Sequence, residues 1–174
     1  MCSTRDQIMM EQNTQIQLLE TLQKTKLDFF WLTGGWAVDF YVGTISRPHA
    51  DVDIVCRYDK AEFLKTILLK DNNFQMLERY EHKLSFSYKS KETQDLSVLY
   101  VDYDDEKKLT LPVGQRFKGV RWPSNSFLAH NIKTLNNISL PVIGLSALYQ
   151  SKIYNGRKKD LLDLKAIDHL ILKR

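Results

Sequence analysis

The chain predicts an α+β architecture, a mixed β-sheet flanked by helices, and three observations carry that reading. Apolar residues recur at helical intervals near the amino terminus, aromatic and β-branched runs of strand length fill the middle, and helical periodicity returns in the last third. With 174 residues and 43% hydrophobic content the chain can bury one sizeable core, and no repeat, low-complexity tract or Pro/Ser-rich linker divides it. A single domain over 1–174 is expected, with an amino-terminal helix over about 7–26, a sheet core over about 29–121 and carboxy-terminal helices over about 145–172.

The first helix rests on Ile8, Met9, Ile16, Leu19 and Leu22, which form one apolar stripe suited to packing on a sheet. Phe29-Phe30-Trp31-Leu32 then suits a buried strand that stops at Thr33-Gly34-Gly35. Two glycines permit a tight turn and a close approach of backbone to ligand. The following Trp36 to Val42 is compatible with a short helix, so the turn would offer free backbone N–H groups and a positive helix end to an anion, of which a triphosphate is the natural example. Asp51-Val52-Asp53-Ile54-Val55-Cys56 alternates as a strand does, which projects Asp51 and Asp53 from one face. Adjacent carboxylates repel unless a cation lies between them. Mg²⁺ favours a few carboxylates together with phosphate oxygens, and two ions about 3.5–4 Å apart can hold both the attacking and the leaving oxygen of an in-line displacement. The chemistry implied is transfer of a nucleotide to a hydroxyl.

Further along, Asp59-Lys60-Ala61-Glu62 has the form of a capping box and opens a helix through Phe63, Leu64, Ile67 and Leu68, ended by Asp71-Asn72-Asn73. Strands are expected over 74–80, 83–88 and 95–101, with Lys89 to Thr93 as a polar hairpin-like connection that delivers Asp95 beside the Asp51–Asp53 strand. The acidic run Asp102 to Glu106 reads as a solvated turn or as an electronegative wall for a cationic acceptor. Leu145 to Lys152 and Lys159 to Ile167 read as two helices separated by Tyr154-Asn155-Gly156-Arg157.

The order of glycine turn, aromatic residue, short helix and then Arg47-Pro48-His49-Ala50-Asp51-Val52-Asp53 on a strand resembles the polymerase-β-like nucleotidyltransferase superfamily. More narrowly, it resembles the small antibiotic nucleotidyltransferases of the aminoglycoside 2''-type and lincosamide groups. The resemblance implies a polymerase-β-like fold and Mg²⁺-dependent transfer of a nucleoside monophosphate, by default AMP from ATP although another nucleoside triphosphate would serve, to a hydroxyl of a small-molecule antibiotic. Asp51 and Asp53 would be metal ligands. A third carboxylate, matched best by Asp95, would complete a metal site or take the acceptor proton. That segment departs from the usual pattern at Gln94 and Ser97, and Asp102 on the same expected strand is the rival.

Gly34 and Gly35 would receive the phosphates, and Arg47 and His49 would bend over the nucleotide, His49 supporting a carboxylate or touching phosphate. Asp39 matches an aspartate common after such turns, or orients Arg47 through a charge-assisted bond. The resemblance resumes at the last two helices. There Lys152 is the candidate triphosphate contact, its flexible stem able to follow shifting phosphate charge, against the alternative of a snorkelling surface lysine. Asp160 and Asp163 read as acids that stabilise a helix start.

Composition sets outer bounds. A net charge of +4 from scattered lysines favours phosphate-bearing ligands mildly, and the absence of a basic stripe interleaved with aromatics argues against nucleic acid as partner. The same charge leans towards a lincosamide, with one basic amine, over a polycationic aminoglycoside. The first residues lack an apolar signal core and no run reaches the ~18 apolar residues of a membrane span, so a soluble, cytoplasmic protein without a membrane partner is expected. Cys2 and Cys56 do not make a disulfide framework, and Cys56 reads as core. Trp36 reads as packing for the turn, Trp31 and Trp122 as core or pocket walls, and His82, His130 and His169 lack metal-ligand spacing. A homodimer could wall the acceptor cleft of so small a chain. Two alternatives stay open: a toxin-type enzyme acting on a protein or transfer-RNA hydroxyl, and a nucleotide-binding or dimerisation module without catalysis, motivated by the departures around Asp95.

Overall fold

A computed structural model describes residues 4–70, 74–76, 85–90, 95–103, 109–110, 123, 125–128 and 130–171. The first helix, α1 (Thr4–Lys24), turns Gln15, Leu18, Leu19 and Leu22 inward at i, i+3, i+4 and i+7, the spacing of one helical face. The chain then enters β1 (Phe30–Thr33), α2 (Gly34–Val42) and β2 (Asp51–Arg57), all close to their expected bounds. A short 3₁₀ turn at Tyr58–Lys60 leads into α3 (Ala61–Lys70). The Asp59 carboxylate, expected to cap that helix, instead accepts two hydrogen bonds from the Arg57 guanidinium.

The remaining strands are β3 (Phe74–Met76), β4 (Ser85–Ser90), β5 (Asp95–Tyr103) and β6 (Leu109–Thr110). They join β1 and β2 in one sheet of order β1-β2-β5-β4-β3, with β6 against the far end of β5. The sheet is mixed, as expected, because β2 and β5 run parallel while the other pairs are antiparallel. Both central strands are covered on two sides. Val52, Ile54 and Cys56 join Leu96, Val98 and Tyr100 in the main core with α1, whereas Val55 and Val101 pack with Leu99 and Phe127 on the other face. At about 1.5–3 kcal/mol for each large apolar side chain taken out of water, this central pair of strands is the rigid floor on which the site is built.

A hairpin that the sequence reading did not anticipate follows: β7 (Ile132–Leu135) and β8 (Ile138–Pro141). Asn136 and Asn137 both take left-handed backbone, φ 49° and 67°, the geometry of a two-residue turn whose twist matches paired strands. Gln23 of α1 accepts the Ser139 N–H, and the Ile143 N–H donates to the Leu32 carbonyl, so the hairpin is tied to both α1 and β1. Last come α4 (Leu145–Asn155) and α5 (Lys158–Ile171), separated within the expected connection, although its Tyr154 and Asn155 belong to α4 and only Gly156 and Arg157 lie between the helices. Among the described residues no helix is long and apolar enough to cross a membrane. Cys2, His82, Trp122 and the acidic run Asp104 to Glu106 lie outside the described residues.

Candidate active site

The site grows from the junction of β1, α2 and β2. Thr33 of β1 pairs with Asp53 of β2, so the chain leaves the sheet beside that carboxylate and turns at once into α2. Gly34 makes the turn with φ +70°, and a Cβ there would collide with the Asp53 carboxylate. Glycine is therefore required twice over, by backbone conformation and by space. At Gly35 the space of a missing side chain is filled from the other direction by the His49 ring and the Arg47 guanidinium. The first turn of α2 thus lies between one acidic and two basic side chains. The Thr33 side chain makes no capping bond, so it does not consume the N–H groups of that turn.

Each basic side chain is held from behind by a buried carboxylate. His49 Nε2 lies 2.6 Å from Asp39 Oδ2, with Asp39 fully buried on α2. The other Asp39 oxygen accepts from the Ser46 N–H at 3.0 Å and the Ser46 hydroxyl at 2.5 Å. The His49 ring lies 4.7 Å from that of Trp36, and α1 completes the frame: Gln15 Nε2 donates to the His49 carbonyl at 2.6 Å while its Oε1 accepts from Trp36 Nε1 at 2.8 Å. Trp36 is therefore turn packing, as expected, with a polar role as well. Asp39 does not orient Arg47. Ser46 and His49 occupy its oxygens, and the long Arg47 side chain reaches away to α5.

There Arg47 grips Asp163 in a two-pronged pair, Nε to Oδ1 at 2.7 Å and Nη2 to Oδ2 at 2.8 Å. Lys152 of α4 donates to the same Oδ2 at 2.6 Å and lies 3.5 Å from Asp160, whose carboxylate also takes the Arg157 guanidinium and the Arg157 N–H. Lys152 is only 3% exposed, so it is not a snorkelling surface lysine, and its ammonium is fixed rather than free-ranging. Asp160 does serve the start of α5 by accepting a backbone N–H. Asp163, one turn on, does not: it is a buried junction between α5, α4 and the loop before β2. The sequence signal lay in the spacing, since Asp160, Asp163 and Ile167 fall at i, i+3 and i+7 and are the buried face of α5, whereas Leu161 and Leu162 are 54% and 58% exposed.

Electrostatics divides these acids. Burial, reinforced by the Asp51 charge, pushes the Asp53 carboxyl up to about 6, against the pull of Lys152, Lys159 and Arg157. Burial also disfavours the charge on Asp163, but hydrogen bonds from Arg47 and Lys152 outweigh it and hold that carboxyl below the ordinary range; Arg157 does the same for Asp160. Backbone register sets Asp95 directly opposite Asp51 and Ser97 opposite Asp53, while Asp102 stands at the far end of β5, beyond the partner of Arg57. Among the described residues no group of three or more His, Cys, Asp or Glu side chains is placed to hold a metal ion. Trp31 is core, its ring edge against Phe127, and His130 and His169 stand exposed.

The family model for aminoglycoside-2''-adenylyltransferases matches residues 15–167, from the helix that braces His49 to the helix that braces Arg47. The chain belongs to that family. Two solved structures share the fold of this adenylyltransferase with TM-scores of 0.65. One is the lincosamide antibiotic adenylyltransferase LnuA with lincomycin bound, 18% identical over 88% of this chain and 93% of that one. The other is ANT(2")-Ia in complex with adenylyl-2"-tobramycin, 16% identical over 90% of each chain. A solution structure of ANT(2'')-Ia is similar at 17% identity and a TM-score of 0.64, over 91% of this chain and 85% of that one. No curated protein matches the adenylyltransferase by sequence. Family and fold bear out the nucleotidyltransferase class and the polymerase-β-like architecture expected from the glycine turn and the Asp-x-Asp strand.

Proposed function

We propose that this adenylyltransferase moves AMP from ATP to a hydroxyl of a small-molecule antibiotic, a lincosamide or an aminoglycoside, with Mg²⁺ as its metal. One observation carries the reading: the Asp53 carboxylate packs on Gly34 at the start of α2, beside Asp51 and across from the basic pair over Gly35. An acidic wall suits cations, and a basic wall suits phosphates, on either side of one helix start. The names of the similar structures, which hold lincomycin and an adenylylated tobramycin, support an antibiotic as acceptor.

The donor set fits a divalent cation. Burial, with the Asp51 charge beside it, pushes the Asp53 carboxyl up to about 6; positive charge between the two carboxylates would relieve both, and hard oxygen donors suit Mg²⁺. When bound, Mg²⁺ would neutralise charge that develops on the transferring phosphoryl group. Asp51 and Asp53 would hold it, with Asp95, in register with Asp51, as the third ligand or as the base that takes the acceptor proton. The Gly34 and Gly35 backbone, His49, Arg47 and Lys152 would bind the triphosphate. In the reaction a bond forms between the acceptor oxygen and the α-phosphorus, the bond from that phosphorus to the bridging oxygen breaks, and pyrophosphate leaves. Rate enhancement would come from positioning and charge neutralisation.

The test is incubation with Mg²⁺, α-labelled ATP and a panel of lincosamides and aminoglycosides, alongside Asp53→Asn. Label carried onto one antibiotic by the wild type and not by the variant is the expected result. Bound ATP with no labelled antibiotic would reject the acceptor class; failure to bind ATP would reject the activity.

A further inference from the structure

We propose that Asp163 is a positioning residue of this site: from α5 it fixes the Arg47 guanidinium against Gly35 and the Lys152 ammonium beside it, so that both cations meet a polyphosphate already aimed. The inference rests on the nucleotidyltransferase reading above. It starts from one atom, Arg47 Nη2. That nitrogen is 2.8 Å from Asp163 Oδ2 and is among the atoms a Cβ on Gly35 would strike, so the carboxylate of α5 and the glycine of the turn jointly determine where it sits. The two-pronged contact fixes the plane of the guanidinium as well as its position, which a single contact would not do.

Lys152 meets the same carboxylate oxygen at 2.6 Å from α4. Its rotamer freedom is lost on folding, before any ligand arrives, and therefore does not have to be lost on binding. Three cations, Arg47, Lys152 and Arg157, surround the two carboxylates Asp160 and Asp163, which leaves the cluster with an excess of positive charge. A purely architectural need at this buried position would be met better by an apolar residue, since a buried ion pair seldom outdoes a well-packed hydrophobic one. The chain puts an aspartate inside and leaves Leu161 and Leu162 outside.

The deciding experiment measures the dissociation constant of Mg²⁺-ATP by equilibrium dialysis, together with the KM and kcat of label transfer, for wild type, Asp163→Asn, Arg47→Ala and the double variant. Asp163→Asn keeps the size of the side chain and removes its charge. Binding about tenfold weaker, with KM rising more than kcat falls, is expected, and the loss should shrink in the Arg47→Ala background. A role in stability alone would lower the melting temperature and leave the dissociation constant and KM of the folded protein unchanged; that result, or tighter binding, overturns the proposal. If Asp163→Asn does not fold, Arg47→Lys retains the charge but cannot make the fork, and wild-type affinity in that variant overturns it equally. Wild-type protein that binds no nucleoside triphosphate would overturn the nucleotidyltransferase reading first.

Discussion

Asp51 and Asp53 stand two apart on a strand, and Asp160 and Asp163 stand three apart on a helix, yet the fold treats the two pairs in opposite ways. The helical pair is surrounded by Arg47, Lys152 and Arg157 and is held ionised below the ordinary carboxylate range. The strand pair receives no hydrogen bond from a cationic side chain among the described residues, and Asp53 is pushed up to about 6. Compensated charge holds cations in place here, and uncompensated charge is left able to receive one. An acid left short of positive partners costs stability in the free protein, and that cost is recovered when a cation binds.

The largest effect that can break this comparison is on catalysis. Asp53→Asn should lower transfer by about 10³-fold or more, on the scale of losing a preorganised electrostatic contact to the transition state, measured as kcat with Mg²⁺ and ATP. Next is the helical pair: Asp163→Ala leaves Arg47 and Lys152 short of a carboxylate and should destabilise the protein by about 3–5 kcal/mol in urea denaturation. On the strand side the sign reverses. Asp53→Asn should stabilise the metal-free protein at neutral pH by about 1–3 kcal/mol, and excess Mg²⁺ should narrow that gap by stabilising the wild type alone. Were Asp53→Asn as destabilising as Asp163→Ala, the two pairs would not differ in the way described.

Opposite pH dependences sharpen the same contrast. The folded protein holds the Asp53 proton more tightly than the unfolded chain, so the stability contributed by that group is full below the ordinary value of 3.8 and is lost as pH rises through about 6. For Asp160 and Asp163 the folded protein holds the proton less tightly, so their contribution is full above 3.8 and is lost as pH falls below it. Denaturation followed across pH 4 to 7 in a chelator should show a declining component in wild type that is missing in Asp53→Asn. The smallest effect concerns the turn between the two sides: Gly34→Ala should cost about 1–2 kcal/mol from its left-handed backbone alone, and more if the Asp53 carboxylate cannot yield. Calorimetry in chelator measures that cost.

The strand half of the site was legible because its information is local. Thr33-Gly34-Gly35 and Asp51-Val52-Asp53 declare a turn and a strand within a few residues, and the expected arrival of the Asp95 strand beside them is seen in the β2 to β5 pairing. The helical half was hidden for the opposite reason. Arg47 and Asp163 are 116 residues apart, and an acid in the first turns of a helix has an adequate local explanation that conceals a distant partner. Asp39 was visible as an acid near Arg47, but its partner is His49, a choice made by which loop atoms can reach a buried oxygen. The β7 to β8 hairpin announced itself only through Asn136 and Asn137, residues that mark many loops besides two-residue turns.

The inverted face of α5 has one more consequence. The helix buries Asp160 and Asp163 beside Ile167 and exposes Leu161 and Leu162, so its rotation about its own axis depends on cations supplied by other segments as well as on apolar packing at its far end. A change at Arg47 or Lys152 would then loosen α5 as well as the site, and a lineage that relaxed selection on nucleotide binding would find the same residues still needed to keep its last helix in place. On the proposed function, loss of activity without loss of fold is therefore expected most readily at Asp51 and Asp53, which have no ion pair with a basic side chain among the described residues.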